Sequence, residues 1–489
     1  MLQYLKEEAN KTYTENGAVT QESTMSDCLD LFATIGAIRR ENDSEIEARF
    51  IRAYAEDKDI ATKILFFARD VRGGLGERKV FRVILKWLAI HEADTVKKNL
   101  SYIAEYGRYD DLLVLFGTPC EKEMLALLKA QFNADMQAMG ENKEVSLLAK
   151  WLPSVNTSNQ EAVSIAKKIA KSFAMKEAVY RKSLSALRTY IKILENYLRE
   201  KEYTFDYEKQ ASKALFKYKK AFIRNDYDRY DAFLRKVQRG EAKLNASTLA
   251  PYELVEPFMT CDRLRTLTQE EQRTLNVTWD SLPDYGSDEN AMAVVDTSGS
   301  MYWKSKPTPA SVALSLGIYF AERNQGPFKN HLITFSERPR LIELQGETFA
   351  DRLRYLATWN EVANTNVEAV FDLILNTAVQ NNLPQSELPA KLYLISDMEF
   401  DMAVENAELS NFENAKKKFH EKGYRLPDIV FWNVASRTRQ QPVTKNEQGV
   451  ALVSGCTPRL FSMVMKGEMN PFDFMMEVVK SKRYEKITA

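Results

Sequence analysis

Asp296, Ser298 and Ser300 stand two residues apart in "AMAVVDTSGSMYW" (291–303), where a run of small and β-branched apolar residues stops at a carboxylate. Thr365 lies in the loop "WNEVANTN", and Asp397 ends the run "KLYLISD". Two carboxylates and three hydroxyls form an oxygen-only set. That donor chemistry suits a hard divalent cation, Mg2+ foremost, with Mn2+ or Ca2+ as alternatives. Positions i, i+2 and i+4 of a turning loop can face one centre, and Gly299 lets the loop turn between the two serines. Ser, Thr and Asp also cap helix N-termini, and any one cluster alone reads that way. Five such residues at three successive loops favour the cation.

The elements around these residues follow from periodicity. From residue 288 short apolar runs ("AMAVVD", "NHLITFS", "AKLYLISD", "DIVFWNVA", "ALVSG") alternate with helical stretches such as "TPASVALSLGIYFAERN" and "NVEAVFDLILNTAVQ". Fully apolar strands separated by helices imply a parallel sheet covered on both faces, so residues 288–489 are expected to form a doubly wound α/β domain. In such a sheet ligands bind beyond the carboxyl ends of the strands, at the switch point of strand order, and the three clusters fall at that end. Over residues 1–275 the apolar residues recur at i, i+3, i+4 and i+7, as in "KVFRVILKWLAIHEADTVKKNL", with no strand-like alternation of any length. Short amphipathic helices cannot bury a face alone, so this half is expected to stack them as an α-solenoid or irregular bundle. The polar segment "TLTQEEQRTLNVTWDSLPDYGSDEN" reads as the join.

Composition removes several classes. Of 489 residues 45% are apolar and 28% charged, ordinary globular values. Cys28, Cys120, Cys261 and Cys456 form no CxxC pair, so neither a zinc site nor a disulfide framework is expected, and a reducing compartment suits the chain. The opening "MLQYLKEEANKTYTENG" has no apolar stretch of signal-peptide length, and no run of 18 apolar residues follows. The expectation is a cytoplasmic protein without a membrane span. No G-x-S-x-G elbow occurs, and His91, His331 and His420 lie in no triad-like motif. No general base is apparent near the five oxygen residues, so the chain is not expected to be an enzyme. "GGLGERK" (73–79) lacks the spacing and the preceding strand of a phosphate loop.

D-T-S-G-S followed by a loop Thr and a strand-end Asp resembles the metal-ion-dependent adhesion site (MIDAS) of von Willebrand factor A domains, over residues 288 to about 470. The resemblance implies that Ser298, Ser300 and Thr365 touch the metal and that Asp296 and Asp397 act largely through waters. It also implies a position left open for a partner's carboxylate. Asn364 and Met398 stand where that family often has glycine. The stretches "ARDVRGGLGERKVFR", "YGRYDDLL", "LLAKWLPS", "YRKSLSALR", "ASKALFKYKKAF", "SDMEFD" and "SGCTPRL" resemble a family of bacterial, phage, fungal and plant proteins with a helical domain before an A-type domain. That architecture is similar to the Ro autoantigen proteins. Their TROVE module, a ring of HEAT-like helices, binds structured and misfolded RNAs, which implies a HEAT-like N-terminal domain and a ribonucleoprotein.

The charge distribution bears on that implication. Residues 161–250 hold 21 Lys/Arg against 11 Asp/Glu in a chain whose net charge is zero. In "SKALFKYKKAFIRNDYDRYDAFLRKVQRG" (212–240) nine basic residues mix with six aromatics, the composition of grooves that hold single strands. Leu215, Phe222, Tyr230, Phe233 and Val237 form one helical stripe, so most of the aromatics are expected in the core. Lys213, Lys217, Lys220, Arg224 and Arg235 remain to meet phosphates. Arg72, Arg78 and Lys79 at a glycine-rich turn either join them or cap helix carbonyls and pair with Asp70 and Glu77, with the second role weighing slightly more. Trp151 is expected in the core. The reading is a non-enzymatic scaffold that binds RNA through its helical half and holds a divalent cation in its α/β half. Its rival is a module whose metal captures an acidic residue of a protein partner, without RNA.

Overall fold

In the computed structural model, residues 1–260, 263–286, 288–303, 305–335, 338–359, 365–401, 409–464 and 470–489 are described. Helices dominate as far as Asp280, and a six-stranded sheet begins at Ala291. The local reasons for the helices are visible in their caps. Asn42 and Asp57 accept the Glu45 and Ile60 N–H groups and so start the helices Asp43–Glu56 and Lys58–Arg69. Ile60, Ile64 and Phe67 on the second helix are buried, as are Phe50 and Ala53 on the first. Successive helices pack on one another in this way, each burying a stripe that alone would face water.

Further along, the helices Ser212–Asn225 and Tyr227–Gln238 fold as a hairpin. Leu215, Phe222, Tyr230 and Phe233 are buried, and the rings of Phe222, Tyr230 and Phe233 surround Tyr207 with centroids 5.3–5.5 Å apart. Each fully buried ring of this size contributes about 1.5–3 kcal/mol. Four of the five stripe residues therefore belong to the core, on two helices and not one, while Val237 is half-buried.

Two short antiparallel pairs precede the main sheet: β1 (Lys11–Tyr13) with β2 (Val19–Gln21), and β3 (Met259–Thr260) with β4 (Arg263–Leu264). The main sheet contains β5 (Ala291–Asp296), β6 (His331–Phe335), β7 (Arg340–Glu343), β8 (Lys391–Ser396), β9 (Asp428–Asn433) and β10 (Val450–Ser454). Their order is β10-β9-β8-β5-β6-β7, all parallel except β7. The chain leaves β5 toward β6 and later returns to β8 on its other side, so strand order reverses between β5 and β8. β5 and β8 are buried along their whole length, as expected of strands covered on both faces.

Three features depart from the reading by periodicity, the first being the β3–β4 pair, which lies within residues 1–275, the half expected to be helical. The antiparallel edge strand β7 was not expected, because only Ile342 of its four residues is buried and no alternation announces it. The β1–β2 hairpin lies in the half expected to be helical, yet it docks on the α/β half through bridges from Gly17 to Asp401, Val19 to Ser410 and Gln21 to Gln441. Three-residue strands are too short to show a period.

The two halves share one core. Helix Asp27–Thr34 packs against β10 and against helix Pro471–Val479. Gly36 follows at a point where a Cβ would come within 2.6 Å of the Ser454 carbonyl oxygen, so only glycine admits the approach. In the other direction residues 483–489 cross back to the helices. Arg483 and Tyr484 hydrogen-bond Asp70, and the Ala489 N–H donates to Asp59 Oδ1 at 2.6 Å.

Candidate functional site

The reversal of strand order puts Asp296, at the end of β5, next to Ser396 and Asp397, at the end of β8. Asp296 is wholly buried; Oδ1 accepts the Ser298 N–H at 2.8 Å and Oδ2 accepts the Ser396 hydroxyl at 2.5 Å. Both donors are neutral. Burial first, and the neighbouring Asp397 second, hold the Asp296 carboxyl above the ordinary carboxylate range. Ser298 Oγ lies 3.1 Å from Ser300 Oγ, so the two hydroxyls face one point, and Gly299 opens a 3-10 turn beneath them. Thr365 is buried, and its carbonyl accepts the Asp401 N–H at 2.9 Å, which ties its loop to the segment after β8.

Asp397 is answered differently. Its Oδ1 accepts the Glu399 N–H at 3.3 Å and its Oδ2 accepts from Arg437 at 3.0 Å. Between them, Met398 takes a left-handed φ of 69°, the conformation in which glycine costs nothing and other residues cost about 1–2 kcal/mol. Asn364 lies outside the described residues, as does Cys261. Cys28, Cys120 and Cys456 are buried and free.

Helix capping, the other reading of these residues, falls elsewhere. Ser298 makes no side-chain cap bond to the turn it precedes. In the helix Glu368–Gln380 the Ala369 N–H donates to Asn366 Oδ1 at 3.0 Å, and not to Thr365. The helix Asn411–Glu421 is capped by Ser410, not by Asp397. The donor set (two buried carboxylates, two facing hydroxyls and a buried threonine) therefore fits a hard divalent cation in its chemistry. Among the described residues there is no cluster of three or more His, Cys, Asp or Glu side chains that could hold a metal ion.

Periodicity did not point to Ser396, Arg437, Arg40 or Glu15. Ser396 sits one residue before a predicted donor. Arg437 follows β9, so the strand-end rule applied to one more strand would have reached "NVASRTRQ". Arg40 comes from the helical half and hydrogen-bonds Ser305 and the Pro307 carbonyl beside the serine loop.

The basic residues divide into two groups. Lys213 pairs with Glu253, and Arg235 with Asp231 at 2.8 Å. Arg72 donates to the Glu105 carbonyl at 2.9 Å, Arg78 pairs with Asp110 at 2.8 Å, and Lys79 donates to the Glu41 carbonyl at 2.6 Å. These three take the carbonyl-capping and ion-pairing role, although Asp70 is held by Arg483 and Glu77 by Arg39. Lys217, Lys220 and Arg224 are exposed on one helix and make no ion pair with a described residue. Trp151 is half-buried and not in the core; the Arg108 guanidinium lies 3.9 Å from its ring centroid. No helix among the described residues is long and apolar enough to cross a membrane.

Comparison with known proteins divides the chain at the same place as the change of element type. The family described as "Domain of unknown function (DUF2828)" matches residues 14–124 and 122–285, more than half of the chain, and "Domain of unknown function (DUF7788)" matches 290–488. The uncharacterized protein L728 of Acanthamoeba polyphaga mimivirus is 30% identical over 516 residues, covering 96% of this chain and 88% of that protein. The crystal structure of the Deinococcus radiodurans Ro (RSR) protein aligns over 93% of both chains at 12% identity and a TM-score of 0.34. By the extent of these matches, the chain belongs to the DUF2828 family.

Proposed function

We propose that the chain is a non-catalytic RNA-binding scaffold whose α/β half is fastened at its switch point by a divalent cation. The observation that carries the RNA part is the face formed by Lys217, Lys220 and Arg224. These three cations lie on one exposed helix side and make no ion pair with a described residue, while Phe216, Phe222, Tyr230 and Phe233 are spent in the core and Tyr218 is half-buried with Lys217 4.8 Å from its ring centroid. Contact is then to phosphates and not to bases, apart from Tyr227, which is 45% exposed at the next turn. Such binding is insensitive to sequence and steep in salt; three neutralised phosphates on a single strand give a slope of about −2 in log K against log salt. The cation is held by Asp296, Ser298, Ser300, Thr365 and Asp397, with Mg2+ the first choice. Its chemistry here is charge neutralisation of two buried carboxylates, which fixes the loops after β5 and β8. Capture of a partner's carboxylate ranks second, because Asp397 is 2% exposed and faces Arg437.

The test is what accompanies the full chain at low salt. An RNA that raises the 260/280 nm absorbance ratio, vanishes with RNase, survives chelator and is lost from the K217E/K220E double variant is the expected result. A nucleic-acid-free preparation that gives no mobility shift with single-stranded RNA at 50 mM salt overturns it. A bound protein released by chelator supports the carboxylate-capture alternative.

A further inference from the structure

Asp397 already has a cation beside it. One guanidinium nitrogen of Arg437 donates to Asp397 Oδ2 at 3.0 Å, and the other lies 2.9 Å from Glu15 Oε2. Arg437 thus stands between a donor of the cation site and the β1–β2 turn. The turn is held to the segment after Asp397 by three further bonds. The Glu15 N–H donates to Glu399 Oε2 at 3.0 Å, Asn16 to the Glu399 carbonyl at 2.8 Å and Thr14 Oγ1 to the Phe400 carbonyl at 2.7 Å. Thr438, next to Arg437, donates to Glu399 Oε1 at 2.9 Å.

Asp397 is nearly inaccessible to water, whereas Arg437 is 27% exposed and Glu15 51%. The buried carboxylate needs a positive charge at contact distance, and the exposed one does not. A guanidinium and a divalent ion at the same carboxylate repel each other, so each weakens the other's hold, reciprocally. Resting on the divalent-cation reading above, we propose that Arg437 is the built-in competitor for that ion. It neutralises Asp397 in the cation-free chain and passes wholly to Glu15 when the ion binds. Arg437 is then a tuning residue: it sets the cation concentration at which the site loads, and Glu15 sets how readily Arg437 lets go.

The two partners give opposite signs, which a merely structural role would not. Mn2+ uptake by the full chain is read from loss of the free-ion EPR signal, with circular dichroism as the check on folding. R437Q frees Asp397 and should tighten Mn2+ binding by about tenfold, while E15Q leaves Arg437 to Asp397 alone and should weaken it by about threefold. Equal or weaker Mn2+ binding by R437Q, or tighter binding by E15Q, overturns the proposal. Failure of the folded unmodified chain to take up any Mn2+ is a different result. It removes the cation reading itself, and the competition falls with it.

Discussion

Asp111 in the helical half and Asp296 in the α/β half are equally closed to solvent, and the chain answers them in opposite ways. Asp111 accepts from Arg69 at 2.8 Å, from Arg82 at 2.6 Å and from the Arg108 N–H at 2.9 Å. Two guanidiniums face one carboxylate, Arg69 itself being 2% exposed. Among the described residues Asp296 is met by neutral donors, the Ser298 N–H and the hydroxyls of Ser396 and Ser298, with a second carboxylate as its neighbour. A buried charge fully met by opposite charges is a finished piece of structure. One met by neutral donors beside a second carboxylate is held above the ordinary carboxylate range and would gain from a further cation, and such under-compensated groups gather at functional sites. On this contrast rests the proposal that Asp296 belongs to a cation site, whereas Asp111 builds the fold.

The largest effect expected is at the finished cluster. D111N keeps the shape but leaves two arginines around a neutral group, and breaking a buried pair in this way costs about 3–5 kcal/mol. The loss, read from urea unfolding midpoints, should be the same with chelator and with Mg2+. A loss under about 1 kcal/mol would mean that Asp110, which already meets Arg78, Arg82 and Arg108, takes over, and the comparison would break.

D296N should behave in the opposite manner. With chelator, removing one of two neighbouring negative charges relieves repulsion, so stability should stay within about 1 kcal/mol of the unmodified chain or rise. With Mg2+ at a hundred times its Kd the unmodified chain should gain about 2.7 kcal/mol, and D296N none. A Mg2+ gain retained in D296N would show that the ion binds elsewhere.

The contrast also explains what could be read in the sequence. Asp296 and Asp397 end apolar runs, and the strand-end rule for doubly wound sheets brings such residues together although they stand 101 positions apart in the chain. The buried stripe of Leu215, Phe222, Tyr230 and Phe233 was legible for a similar reason, because a helix repeats its face every 3.6 residues. What balances each charge was not legible. Arg437 reaches Asp397 from the next strand's loop, Arg40 reaches Ser305 from the other half, and Glu253 spends Lys213 from a separate helix. These pairings depend on how elements dock, and no local period encodes docking. β7 and the β1–β2 hairpin escaped because three or four residues are too few to establish alternation.

The smallest effect sharpens the comparison at the seam between the halves. Glu45, 19% exposed, accepts from Arg439 at 2.7 Å and from Arg49 at 3.0 Å, and Arg49 also donates to the Thr438 carbonyl at 2.9 Å. Helix Asp43–Glu56 is thereby fastened to the loop that carries Arg437. The Arg439 hydrogen bond, with Arg49 assisting against the opposing effect of burial, pulls the Glu45 carboxyl from its ordinary 4.5 down to about 2. A carboxylate whose folded value is depressed stabilises fully above its unfolded value and loses that stabilisation as pH falls through the folded one. The contribution is therefore complete above about pH 4.5 and gone by about pH 2. Arg439 is 46% exposed, so screening limits the effect to about 1 kcal/mol. E45Q should be less stable than the unmodified chain by that amount at pH 6, and the gap should close as pH falls from 4.5 toward 2. A gap that persists unchanged at pH 2 would assign the loss to packing and not to charge. The seam would then join Asp111 as finished structure and would not act as an electrostatic latch beside the cation site.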